Sequence, residues 1–152
     1  MKIYALPYAA GNSSIYYNLK KMLENSVEFI SLEYSGHGVR LNEQILYSVD
    51  EITYGIYKQI IEKGIDEEYC ILGYSMGGII ATELYAKLAT NNCNLPKFIF
   101  ICACNEPGHE RKNRDVIHCN RGELIDILRD YSGTPEEVFE FDEILDFTCN
   151  AG

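Results

Sequence analysis

The 152 residues contain no tryptophan, only three histidines and only four prolines, and thirteen lysines and arginines stand against twenty-three aspartates and glutamates. The resulting formal charge of -10 argues against binding nucleic acid or an anionic membrane surface, because each would repel the chain. No apolar stretch approaches the roughly 18 residues of a membrane span. A secretory leader is not expected either, since the run Ile3-Tyr4-Ala5-Leu6 breaks at Pro7 and is too short for its hydrophobic segment. The six cysteines form no C-x-x-C pair. Cys70, Cys102 and Cys104 lie within apolar runs, where free thiols act as small hydrophobes, so a reduced, cytoplasmic compartment is expected. Cys102-x-Cys104 near His109 and Cys119 lacks the spacing of zinc ligands, so neither a metal nor a cofactor is expected.

What is present is an ordinary globular composition, 47% hydrophobic and 24% charged, in a length that fits one domain with a real core. Its most informative stretch is Gly73-Tyr74-Ser75-Met76-Gly77, which follows the apolar run Tyr69-Cys70-Ile71-Leu72 and precedes Gly78-Ile79-Ile80-Ala81-Thr82-Glu83-Leu84. A short β-rich run before and a helical pattern after are the context that a G-x-S-x-G nucleophile elbow needs. In such a turn the serine occupies a strained apex with its hydroxyl exposed, and a Cβ on either glycine would strike the adjoining strand or helix.

The remainder alternates strand and helix. Residues 2–6 read as a strand ending at Pro7, and a helix capped by Asn12 or Ser13 carries Ile15, Leu19, Met22 and Leu23 on one face. Residues 27–32 form the next strand and run into the loop Ser35-Gly36-His37-Gly38. Ser48-x-x-Glu51 is a capping box for a helix with Val49, Ile52, Ile56 and Ile60 on one face, stopped by Gly64. Residues 97–104 form a fourth strand, and Phe98-Ile99-Phe100-Ile101-Cys102-Ala103 predicts burial on both faces. The alternation predicts an α/β fold with a parallel sheet flanked by helices. Beyond Asn105 the pattern changes: a polar stretch with Arg111, Lys112 and Arg114 leads to a helix capped by Asn120-x-x-Glu123, and Thr134-Pro135-Glu136-Glu137 opens another. Two helices inserted after a strand predict a helical lid over residues 105–147.

Leu6-Pro7-Tyr8-Ala9-Ala10-Gly11, Gly36-His37-Gly38, Gly73-Tyr74-Ser75-Met76-Gly77-Gly78 and the Pro135-Glu136-Glu137 helix start resemble, in the same order, the type II thioesterases of nonribosomal peptide and polyketide synthesis. The resemblance covers about residues 3–147. It implies an α/β-hydrolase that releases acyl or aminoacyl groups from the phosphopantetheine of an acyl or peptidyl carrier protein, in antibiotic biosynthesis. It also implies Ser75 as nucleophile, with the backbone amides of Met76 and Ala9 as the oxyanion hole. Three positions depart from the family: Tyr74 stands where His is usual, Ser35 where Pro is usual, and Ala10 where a second Gly is common.

In α/β-hydrolases the acid and the histidine follow the nucleophile, and none of His37, His109 and His118 matches the family's catalytic position. Asp115, Asp126, Asp130, Asp142 and Asp146 sit in polar or helical settings that solvation explains, so neither triad partner is identified. Residues 1–152 therefore read as a single, incomplete hydrolase domain. The alternative is a non-catalytic fragment or interaction module; within enzymes it is a carboxylesterase or acyltransferase, since the elbow is shared among those chemistries. An incomplete domain is expected to leave an apolar sheet edge at residues 98–103, to associate through it, and to hydrolyse thioesters near background. Arg111, Lys112 and Arg114 are candidates for meeting a phosphopantetheine phosphate or an acidic carrier helix.

Overall fold

The first strand of the sequence becomes a central strand of the sheet. In a computed structural model, which describes residues 1–65, 68–105, 119–130 and 139, β1 (Lys2–Leu6) is flanked by β2 (Glu28–Ser31) on one side and β3 (Tyr69–Tyr74) on the other. The fourth strand, β4 (Phe98–Cys102), pairs with β3, and every pairing is parallel, giving the order β2-β1-β3-β4. The chain divides into two compact units, Met1–Pro107 and Gly108–Gly152, and the sheet lies in the first.

Helix α1 (Tyr17–Leu23) is entered through a single tighter turn at Ser13–Tyr16, whose first residues are held by the Asn12 side chain accepting from the Ser14 amide at 2.9 Å. Helix α2 (Val49–Lys63) starts as its sequence requires: the Ser48 hydroxyl accepts from the Glu51 amide at 3.2 Å, and Gly64 closes it at φ +89°. Helix α3 (Met76–Thr90) follows β3 directly. It buries Ile80, Ala81, Leu84 and Leu88 with Ile56 and Ile60 of α2 against Tyr4, Leu6 and Ile71 of the sheet. The opposite face carries a smaller cluster of Ala5, Tyr16 and Phe29, joined by Leu19, Leu23 and Leu72.

Two expectations change. Met22 is 80% exposed: Leu19 and Leu23, four residues apart, lie along the line that meets the sheet, and Met22, about 100° around the helix from Leu23, falls outside it. Strand β4 is not buried on both faces: Ile99 packs into the larger core, whereas Phe98 and Phe100 are 61% and 49% exposed. Register explains the difference, since Phe98 and Phe100 pair with Cys70 and Leu72 and so project to the α1 side, whose helix covers the other half of the sheet.

In the second unit, α4 (Arg121–Asp130) is capped reciprocally. The Asn120 side chain accepts from the Glu123 amide at 3.1 Å while the Glu123 carboxylate accepts from the Asn120 amide at 2.9 Å. The helix expected from Pro135, with Arg111, Lys112, Arg114, His109, His118, Asp115, Asp142 and Asp146, lies outside the described residues. Among the described residues no helix is long and apolar enough to cross a membrane, and no cluster of three His, Cys, Asp or Glu side chains could hold a metal ion.

Candidate active site

Leu6 and Gly73 are in register on adjacent parallel strands, so the loop leaving β1 and the turn leaving β3 emerge at the same end of the sheet. At the tip of that turn Ser75 adopts φ +53°, ψ -117°, a conformation that costs a non-glycine residue about 1–3 kcal/mol. The surroundings hold it there. Its amide donates to the Cys102 carbonyl at 2.8 Å, tying the turn to the neighbouring β4, and its carbonyl accepts from the Gly78 amide at 2.8 Å, opening α3. Among the described residues no side chain hydrogen-bonds its hydroxyl.

The glycines around Ser75 are there for contact. A Cβ on Gly73 would lie on the backbone of Gly77 and 2.6 Å from the Gly78 nitrogen; one on Gly77 would strike the Leu6 carbonyl and approach the Pro7 carbonyl to 2.7 Å. Gly77 therefore lets the start of α3 press against the backbone that leads into residues 7–11. That loop closes as a turn, with the Gly11 amide donating to the Tyr8 carbonyl at 3.0 Å and Ala10 at φ +58°. Ala10 is the position where the resembled family commonly has glycine, and the backbone here is left-handed.

Two carbonyls at the loop's entry are pinned by buried tyrosines. Tyr16 donates to Leu6 at 2.6 Å and Tyr34 to Pro7 at 2.7 Å. Burial pushes both phenols well above the ordinary tyrosine range, so both remain donors at any physiological pH. At the mouth the half-exposed rings of Tyr8 and Tyr74 meet edge to face, with centroids 6.0 Å apart.

Glu33 had no place in the sequence reading, yet among the described residues it is the charged residue that the fold buries. It accepts from the Ser13 amide at 3.1 Å, the Ser13 hydroxyl at 2.6 Å and the Val39 amide at 2.5 Å. Burial alone would raise its pKa, but the hydrogen bonds from Ser13 and Val39, with His37 nearby, hold it below the ordinary value. A charged residue close behind an apolar strand and just before Ser35-Gly36-His37-Gly38 was the available signal. His37 is half-buried, with Nδ1 3.0 Å from the Ser35 carbonyl and its ring edge-on to Tyr34, so it is a packed rather than a solvated loop histidine. Of the candidate acids, Asp126 and Asp130 lie on α4 in the second unit.

A family model for the thioesterase domain matches residues 1–151. The chain belongs to the thioesterase-domain family. Among similar proteins, the gramicidin S biosynthesis protein GrsT of Aneurinibacillus migulanus is 26% identical over 145 residues, covering 95% of this domain and 56% of GrsT. The crystal structure of ClbQ from the colibactin NRPS/PKS pathway superposes at a TM-score of 0.86 with 23% identity, over 99% of this chain and 63% of ClbQ. An extracellular α/β-hydrolase from a Paenibacillus species superposes at 0.66 with 17% identity, over 100% of this chain and 66% of its own. These two likenesses establish the α/β-hydrolase fold. The thioesterase domain spans about half the length, 51–56%, of four curated relatives that it matches.

Proposed function

We propose that this thioesterase domain carries the nucleophile and oxyanion-binding groups of an acyl-thioester hydrolase acting on acyl or aminoacyl groups held by a carrier-protein phosphopantetheine. The observation that carries the reading is the backbone of Ser75, strained at the junction of β3 and α3 while the β1 loop is pressed against the same turn by Gly77. The Ser75 oxygen attacks the thioester carbonyl; the C–S bond then breaks, the acyl group remains on Ser75, and the hydroxyl proton ends on the departing sulfur. Water hydrolyses the acyl-serine and restores the hydroxyl. The amides of Met76 and Ala9 are the donors we assign to the oxyanion, a role in which a single donor is worth about 10²–10³ in turnover.

Relatives named for gramicidin S and colibactin biosynthesis support a carrier-bound substrate, and the described cysteines, all free, support a cytoplasmic setting. No histidine or acid of residues 1–152 is assigned to the triad. Turnover depends on the whole triad, whereas the position of a covalent adduct reports on Ser75 itself. Incubation with a long-chain alkyl fluorophosphonate, read by peptide mass spectrometry, is expected to modify Ser75 and to give no Ser75 adduct in Ser75→Ala. Modification elsewhere at the same rate, or none at all, would reject the assignment. An acyl-pantetheine thioester that acylates Ser75 faster than the matching oxygen ester would separate a thioesterase from a carboxylesterase.

A further inference from the structure

Consecutive residues just past the end of β2 reach both ends of the loop that follows β1. Tyr34 holds the entry through the Pro7 carbonyl, and Glu33 holds the exit through the amide and hydroxyl of Ser13. The second carboxylate oxygen of Glu33 takes the Val39 amide, in the short turn Gly38–Arg40. Gly38 stands at φ +53° against that carboxylate, and a Cβ there would overlap it, which accounts for the second glycine of Gly36-His37-Gly38. The Glu33 backbone is fixed as well: its carbonyl accepts from Arg40 Nη1 and Gln59 Nε2, each at 3.0 Å.

We propose that Glu33 is a positioning residue for the oxyanion loop: its ionised carboxylate ties residues 7–13 to the Gly38–Arg40 turn, so the loop carrying the Ala9 amide keeps its shape only while Glu33 is charged. The role of Ala9 rests on the function proposed above; the tie itself does not. The chemistry favours an all-acceptor group, because each oxygen faces a backbone amide that cannot accept, Ser13 at one and Val39 at the other, with the Ser13 hydroxyl donating beside the first. Protonation removes the charge that these donors share and weakens acceptance at one oxygen, and glutamine sets an NH2 group permanently against one of the two backbone amides. Among the described residues the groups around the carboxylate are Ser13 from the turn before α1, and Val39 and the ionisable His37 from its own loop; the neutral Gln59 of α2 and Arg40 bond the Glu33 carbonyl, and Arg40 also the Glu43 carboxylate.

The sign follows from the lowered pKa. The unfolded glutamate titrates near 4.5, so the tie is complete above that value and is lost as pH falls through the depressed value of the folded state. Amide hydrogen exchange on the full chain tests this without any turnover. Glu33→Gln is expected to speed exchange in residues 7–13 and 36–41 by about 10–100-fold while residues 69–74 of β3 keep wild-type protection. In the wild type, after correction for intrinsic exchange chemistry, the same two segments lose protection on acidification; in Glu33→Gln the response is flat. Ser13→Ala keeps the carboxylate but removes the 2.6 Å donor, so it is expected to move the loss of protection to higher pH, and it serves as the second variant should Glu33→Gln not fold. Unchanged exchange in Glu33→Gln, an equal rise in β3, or an unmoved midpoint in Ser13→Ala would each overturn the proposal. If Ser75 resists the phosphonate while exchange behaves as expected, the tie stands and the catalytic reading falls.

Discussion

At the residue scale, two strained positions have opposite prospects under mutation. Ser75 at φ +53° is locked by its bonds to Cys102 and Gly78, and its strain holds the hydroxyl at the apex of the turn. Ala10 at φ +58° has no such chemistry to perform; its Cβ is a steric liability in a turn where glycine is unstrained. Ala10→Gly is therefore expected to stabilise the domain by up to about 1 kcal/mol, the relief of strain being partly offset by the greater freedom of glycine in the unfolded chain. Urea denaturation followed by circular dichroism measures it, and a loss of stability would mean that the Ala10 methyl makes a contact worth more than its strain.

At the scale of elements, caps and glycines read clearly because their demands are local. Ser48 and Glu51 lie within one turn of each other, and the capping bond forms as their spacing requires. Ser48→Ala should cost about 1 kcal/mol, measured as a lower midpoint in the same denaturation, whereas Ser48→Asn should leave it nearly unchanged. The elbow was legible for the same reason, since Gly73, Ser75 and Gly77 meet one another and the end of β1 over a few ångströms. What escaped the sequence were partners distant along the chain. Glu33 binds Ser13 and Val39 from two different loops, and Tyr16 and Tyr34 reach the carbonyls of Leu6 and Pro7, which no periodicity records. The exposure of Phe98 and Phe100 escaped too, because an apolar strand specifies two apolar faces without specifying what covers each.

At the scale of the whole molecule, the rings of Phe98 and Phe100, 6.2 Å apart and half exposed or more, form an apolar strip on β4, an edge strand among the described residues. Such an edge invites pairing with other chains, and a charge of -10 opposes it most at low salt. Self-association in sedimentation velocity is expected to grow with protein and salt concentration, and replacing both phenylalanines by serine should reduce it; association indifferent to that replacement would point to another surface. The sheet order has a further bearing on how the molecule is made. β1 is translated well before its partners: it cannot gain its second neighbour until Tyr69–Tyr74 has been made, and the Ser75 amide finds its acceptor only when Cys102 has emerged. Non-local parallel pairing of this kind is slow. A nascent chain interrupted before β4 therefore lacks the Cys102 carbonyl that ties the Ser75 turn to the neighbouring strand.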